Sequence, residues 1–291
     1  MKKAPWIPDQ KGAWAMATVP PIIGIVAGGP VWQHIPVAAL WITGYCLYFT
    51  ADNWLRARRR ATYLPPVRFW ALWVALFAAA SLVAAGCLLR WAWLFIPLVL
   101  VTAWTSFRRE SRSLLARSSE VIAAGLMTPV MWDLSYRADH GIASISALAS
   151  QGLTQGITAT AQGSRVLLVT IAVIYYFWCT IPFVKSLVRE KASRAYLATS
   201  IIAHALGLAG AFALFTLNHA GVLFAIVWAV LAIRCAIFTF VARRTSRASH
   251  RTAPHRTTSQ PLNAKQLLIT VGIIETIISI VYIPAVLTLS W

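Results

Sequence analysis

The run Asp52-Asn53-Trp54-Leu55-Arg56-Ala57-Arg58-Arg59-Arg60 is dense in groups that can grip an anion. If a helix continues through it, residues 56, 59 and 60 share one face, because positions three and four apart are neighbours on a helix surface. Three adjacent guanidiniums suit a phosphate or a carboxylate, which each planar fork can hold through two parallel hydrogen bonds. The competing reading is a charge cluster that stops a membrane span. A second basic stretch holds Lys185, Arg189, Glu190, Lys191 and Arg194, with Lys185 and Arg189 four apart. Arg56, Arg59, Arg60, Lys185 and Arg189 are therefore the candidate set for an anion or lipid headgroup.

A second group of polar residues lies inside apolar runs. Glu275 is ten residues past Lys265, about 15 Å along a helix. Arg234 lies nine before Arg243, and His204 ten after Arg194. Glu120 is shallower. A charge at mid-bilayer costs about 2.5–3.5 kcal/mol on insertion scales, so each needs a partner or a wet cavity. An Arg234–Glu120 or an Arg234–Glu275 pair would serve. The alternative is a protonated Glu275 bonded to a neighbouring helix. No metal or cofactor is expected. The histidines lack H-x-x-x-H spacing, and Cys46, Cys87, Cys179 and Cys235 form no CxxC pair. P-loop, G-x-S-x-G and G-x-G-x-x-G motifs are absent.

The elements that hold these groups are membrane spans. Hydrophobic residues make up 59% and charged ones 12%, against about 25% charged in soluble domains. Apolar runs predict an all-α, polytopic transmembrane bundle of about nine spans: 13–30, 34–51, 69–89, 90–107, 118–134, 165–185, 197–217, 219–241 and 265–289. Runs of this length cross about 30 Å of hydrocarbon as helices, and their continuity argues against alternating strands. Lys2 and Lys3 precede an apolar run, as in a signal peptide, but Lys11 interrupts it, Pro20-Pro21 break it and no A-x-A site follows it, so the run is expected to be the first span.

Charge gives orientation. Of 26 Lys and Arg residues, 22 fall at the N-terminus, in the connections 52–68, 108–117, 186–196 and 242–264, or, as Lys185 and Lys265, at the span ends that border them. Arg90, Arg137 and Arg165 fall on the opposite side, and Arg234 inside a span. This positive-inside pattern predicts a cytoplasmic N-terminus. The net charge of +18 then reflects headgroup anchoring, at roughly 1 kcal/mol per residue, and not nucleic-acid binding. Residues 1–291 read as one membrane domain. Within it, 135–164 is expected as an outer-face loop, and the basic 242–264 connection as disordered and cytoplasmic. Gly24 and Gly28 form a G-x-x-x-G, expected to pack helices closely.

Several stretches carry a family resemblance. Trp6-Ile7-Pro8-Asp9-Gln10-Lys11-Gly12-Ala13-Trp14-Ala15-Met16, with Val19-Pro20-Pro21 and Gly24, resembles the start of the YwiC-like family of bacterial integral membrane proteins. So do Trp54 to Arg60 with Tyr63-Leu64-Pro65-Pro66, Arg108 to Leu115, and Val184 to Glu190. Asp9-Gln10-Lys11 departs from the family's usual polar-His-Gly. The resemblance implies a multi-pass protein of the bacterial cytoplasmic membrane and names no reaction. In helix number and in loops after spans two and six, the chain also resembles the UbiA-type prenyltransferases. Those enzymes use Asp-rich loops to hold Mg²⁺ against a diphosphate, which needs several hard oxygen ligands. Here the loops offer only Asp52-Asn53 and Glu190, so metal-dependent prenyl transfer is not carried over.

Two functional readings follow. In the first, a UbiA-shaped cup without metal binds an anionic amphiphile, a phospholipid or an isoprenoid phosphate, through Arg56, Arg59, Arg60, Lys185 and Arg189. In the second, the chain transports a small anion or metabolite past Arg234, Glu275 and His204. A divergent prenyltransferase ranks below both. Membrane lipids are the expected partners.

Overall fold

The computed structural model describes residues 5–8, 11–145, 161–189, 193–251 and 264–289. These are all-α, with no strand among them. The helices are α1 (Lys11–Gly28), α2 (His34–Arg56), α3 (Leu64–Ala85), α4 (Ala92–Phe107), α5 (Leu114–Asp139), α6 (Ala161–Val184), α7 (Arg194–Thr216), α8 (Val222–Arg251) and α9 (Ala264–Leu287). The chain forms two compact units, Met1–Ile174 and Tyr175–Trp291. The division falls inside α6.

Five helical stretches among the described residues are long and apolar enough to cross a membrane. They are Ala61–Phe107, Gly163–Leu187, Arg194–Thr216, Val222–Thr239 and Thr270–Leu287, and Gly12–Gly28 is apolar but shorter. The first, of 47 residues, contains two of the expected spans, separated by a 3-10 stretch at Gly86–Trp91. The expected spans 34–51 and 118–134 form helices but are not in this set. Polar residues within them lower their hydropathy: His34, Thr43, Tyr45, Tyr48 and Thr50 in α2, and Ser118, Ser119, Glu120 and Asp133 in α5. Large apolar side chains such as Leu72, Val83, Val99, Leu206, Ile233 and Ile280 are exposed, as lipid-facing surfaces require and water-facing ones avoid.

In the first unit α5 is the central element. Ser113 caps it, accepting a hydrogen bond from the Ala116 amide at 3.2 Å. Residues 127–135 of α5 are all buried, and α1 packs along them. Gly24 and Gly28 make the approach possible. A Cβ on Gly24 would lie 2.2 Å from the Thr128 carbonyl oxygen, and one on Gly28 2.6 Å from Ser135 Oγ. Backbone proximity of this kind is what small-residue helix pairs provide.

A proline in α1 frees an acceptor that another helix uses. Pro20 and Pro21 carry no N–H, so carbonyls one turn back lose their helical donors. Trp41 Nε1 donates to the Ala17 oxygen at 2.7 Å, four residues before Pro21. Thr128 Oγ1 donates to the Pro20 oxygen at 3.1 Å. The N-terminal strap is tied similarly, with Trp14 Nε1 donating to the Pro8 oxygen and Trp70 Nε1 to the Trp6 oxygen.

Helix ends depart from the expectation at three places. The helix does not continue through the arginine run: α2 stops at Arg56, and Arg58 and Arg59 have φ of 55° and 58°. The Arg59 amide reaches back to the Trp54 oxygen and the Arg58 amide to the Leu55 oxygen, a left-handed terminating turn. Residues 56, 59 and 60 therefore do not share a helical face. Arg109 (φ 60°) ends α4 in the same way, its neighbour Glu110 bonding the Thr105 oxygen at 2.7 Å. Second, residues 135–139, expected in an outer loop, extend α5, and 161–164 open α6. Third, α8 runs to Arg251, so 242–251 continue a helix where disorder was expected. Residues 252–263 lie outside the described residues.

Candidate functional site

Positions four apart on α2 put Tyr48, Asp52 and Arg56 in one row facing the start of α5. Arg56 Nη2 bonds Asp52 Oδ2 at 2.7 Å and Asn53 Oδ1 at 3.0 Å. Tyr48 donates to Glu120 Oε1 at 2.6 Å, and Glu120 Oε2 accepts from Arg117, also at 2.6 Å. Glu120 thus pairs with Arg117 and not with Arg234. The row is a pair of ion pairs with no net charge. It also leaves Asp52 Oδ1, Asn53 Nδ2 and Arg56 Nε buried without partners among the described residues.

The candidate headgroup residues have separate local partners. Arg56 is engaged by Asp52. Arg59 and Arg60 are exposed, and the Arg59 guanidinium lies over the Trp54 ring at 6.0 Å. Lys185 sits over Tyr196, its ammonium 4.9 Å from the ring and 3.3 Å from the hydroxyl. The side chain of Arg189 lies outside the described residues, and so does Glu190.

The second unit holds a buried charged centre. α8 contributes Arg234, α9 contributes Glu275, and each is 7% exposed. Arg234 Nη1 donates to Glu275 Oε1. The other carboxylate oxygen accepts from Tyr176 at 3.5 Å, and Tyr176 is 3.0 Å from Ser279 Oγ. The Tyr176 ring stacks on Tyr282 with centroids 4.3 Å apart. Phe183 covers the face of the guanidinium at 4.3 Å and lies 5.9 Å from the His204 ring. His204 Nδ1 meets the Ser200 oxygen at 2.8 Å, and Ser200 Oγ meets Cys235 Sγ at 3.3 Å. Arg234 Nε and Nη2 are buried and have no hydrogen-bond partner among the described residues. The arrangement can hold an acceptor on a cation in an apolar setting, where such bonds are strong.

Sequence reasoning missed a third network. Asp133 is fully buried in α5, accepting from Arg137 Nε at 2.9 Å and Trp91 Nε1 at 3.0 Å. The i,i+4 spacing of Asp133 and Arg137 was the available signal, hidden because Arg137 was read as loop. His34 was likewise unassigned. Its Nδ1 accepts from the Val31 amide at 3.1 Å, so Nε2 carries the proton toward the Met131 oxygen at 2.9 Å. No group of three or more metal-ligating side chains occurs among the described residues.

The family match falls in the first unit, while one relative is similar over a longer stretch than that unit holds. Residues 7–132 match the family described as YwiC-like protein. An uncharacterized protein YwiC of Bacillus subtilis (strain 168) is 29% identical over 109 residues, 38% of this chain and 46% of that relative. The matched segment thus spans about half that relative's length. An uncharacterized protein of Haemophilus influenzae is 28% identical over 206 residues, 69% of this chain and 74% of its own length. No solved structure matches. From the N-terminal strap to the middle of α5, then, this chain is YwiC-like in sequence.

Proposed function

We propose that the chain is a multi-pass protein of the bacterial cytoplasmic membrane that binds a small solute at the Arg234–Glu275 centre and carries it across. Nine spans and a cytoplasmic N-terminus belong to this proposal. The observation that supports it is a guanidinium buried between apolar helices, held by one carboxylate and only partly satisfied. Ionised side chains at membrane depth are costly and are associated with solute and proton paths. Tyr176, Ser279 and His204 extend the polar track beside the pair. Prenyl transfer is not part of the reading, since Asp52 is taken up by Arg56 and a diphosphate-bound Mg²⁺ needs several carboxylates.

The test is an exchange assay. Purified protein is reconstituted in liposomes loaded with a bacterial small-molecule extract, and the solutes that leave are identified by mass spectrometry. A defined solute should exit through the native protein and not through Arg234→Gln/Glu275→Gln. Identical release from both would sink the proposal.

A second reading has its own support. Arg59 over Trp54 and Arg108 over Trp104, at 6.0 and 5.7 Å, place cations and amphipathic rings together at two helix ends. This suits anionic headgroups at a membrane surface. Retention of one anionic or isoprenoid lipid by the native protein, lost when Arg59, Arg60, Lys185 and Arg189 are changed to Ala, would favour it.

A further inference from the structure

The Arg234 guanidinium has five N–H bonds in a planar fork. Nη1 serves Glu275. The Nε–Nη2 edge is buried and lacks an acceptor among the described residues. The neighbouring polar groups are committed elsewhere: Tyr176 to Ser279 and Glu275, Ser200 to Cys235, His204 Nδ1 to the Ser200 oxygen. Glu275 has a donor on each oxygen. The shortfall therefore lies on the cation, and it lies on one edge. Phe183 covers a face of the guanidinium, and a face is not where hydrogen bonds form.

We infer that the Nε–Nη2 edge of Arg234 binds a singly charged two-oxygen anion, a monocarboxylate, as the solute of this centre. The inference rests on the solute-binding reading above and names its class. On this edge two N–H groups point the same way, and a carboxylate presents two oxygens to match. A halide is a single acceptor and loses that second alignment. A neutral amide sets an NH₂ against one of the donors. Glu275 already balances the arginine's charge, so a monocarboxylate adds one negative charge to the apolar setting, and a doubly charged phosphate adds two at a steeper desolvation cost. The surroundings suit an apolar ligand body: Phe183 packs with Leu187, Cys235, Val271 and Phe238.

The experiment titrates the full-length protein in lipid nanodiscs with benzoate, benzamide, chloride and phosphate. Binding is followed by thermal unfolding and by the ¹⁵N resonance of the arginine Nε–H groups, assigned through Arg234→Lys. Benzoate should bind about tenfold more tightly than chloride or phosphate, one charge-assisted hydrogen bond's worth. Benzamide should be silent, and benzoate should move the Arg234 Nε–H signal. In Arg234→Lys, the preference for benzoate over chloride should fall to about twofold, because an ammonium is a point donor. The selectivity series needs no variant, so a poorly folding Arg234→Lys does not remove the test. Equal binding of chloride and benzoate overturns the two-oxygen assignment and leaves solute binding standing. Arg234-dependent exchange of a neutral solute, with benzoate silent, also overturns only the class. Failure of every probe, together with Arg234-independent exchange, overturns both readings.

Discussion

Removing the two partners of the buried pair in the second unit should have unequal effects. Glu275→Met leaves Arg234 buried, charged and without an anion, and a guanidinium cannot shed its proton. Stripping one partner from a buried ion pair typically costs about 3–5 kcal/mol. Arg234→Met leaves a carboxyl that still has the Tyr176 hydroxyl beside it and can be neutralised by taking up a proton. It also removes two buried donor atoms that lack partners, each costing about 1–3 kcal/mol while unmet. Its net loss should be smaller, about 1–2 kcal/mol by the same figures. The double variant should fall within about 1 kcal/mol of the native protein, or exceed it, because apolar replacements of buried pairs are often neutral or stabilising. Unfolding in mixed micelles with rising dodecyl sulfate, on all four proteins, gives the cycle. Equal losses in the two single variants, or a double variant whose loss is their sum, would refute the argument.

Other outcomes are expected in the first unit. Gly24→Ala should destabilise by roughly 1–3 kcal/mol, because its Cβ meets the backbone at Thr128. Gly12→Ala, with open space around it, should be neutral in the same unfolding assay. Trp41→Phe removes the donor to the carbonyl left free by Pro21 and should cost about 1–2 kcal/mol, with faster hydrogen exchange in α1. Arg109→Gly relieves a left-handed residue and should raise stability by about 1 kcal/mol; a loss would mean that its side chain stabilises the turn by more than the strain.

The helices were largely legible in the sequence because each apolar run had to satisfy its backbone internally. α5 was harder. Its ionised residues Asp133 and Arg137 resemble a loop when read in one dimension, and they become interior only because Trp91 approaches from elsewhere in the chain. The arginine run was misread for a local reason. Periodicity assumes that φ stays near the helical value, and Arg58 and Arg59 both adopt positive φ, which arginine rarely does. Arg234 and Glu275 were identifiable as costly residues within apolar runs. Which edge of the guanidinium is left vacant was not, since that depends on how α8 and α9 are rotated about their axes.

The turn that ends α4 has a consequence for the surrounding lipid. α4 has 16 residues, about 24 Å of helix, and Arg109's left-handed residue prevents it from growing by another turn. The preceding stretch adds little outer surface, since Gly86, Cys87, Arg90 and Trp91 are buried, Leu88 is half-buried and Leu89 alone is exposed. Val99, Leu100 and Trp104 nevertheless face outward. Against a hydrocarbon layer of about 30 Å, this flank is several ångströms short, and hydrophobic mismatch costs a fraction of a kcal/mol per Å. With α4 across the bilayer, as proposed, the annulus beside it should be compressed and the protein should partition toward thinner bilayers.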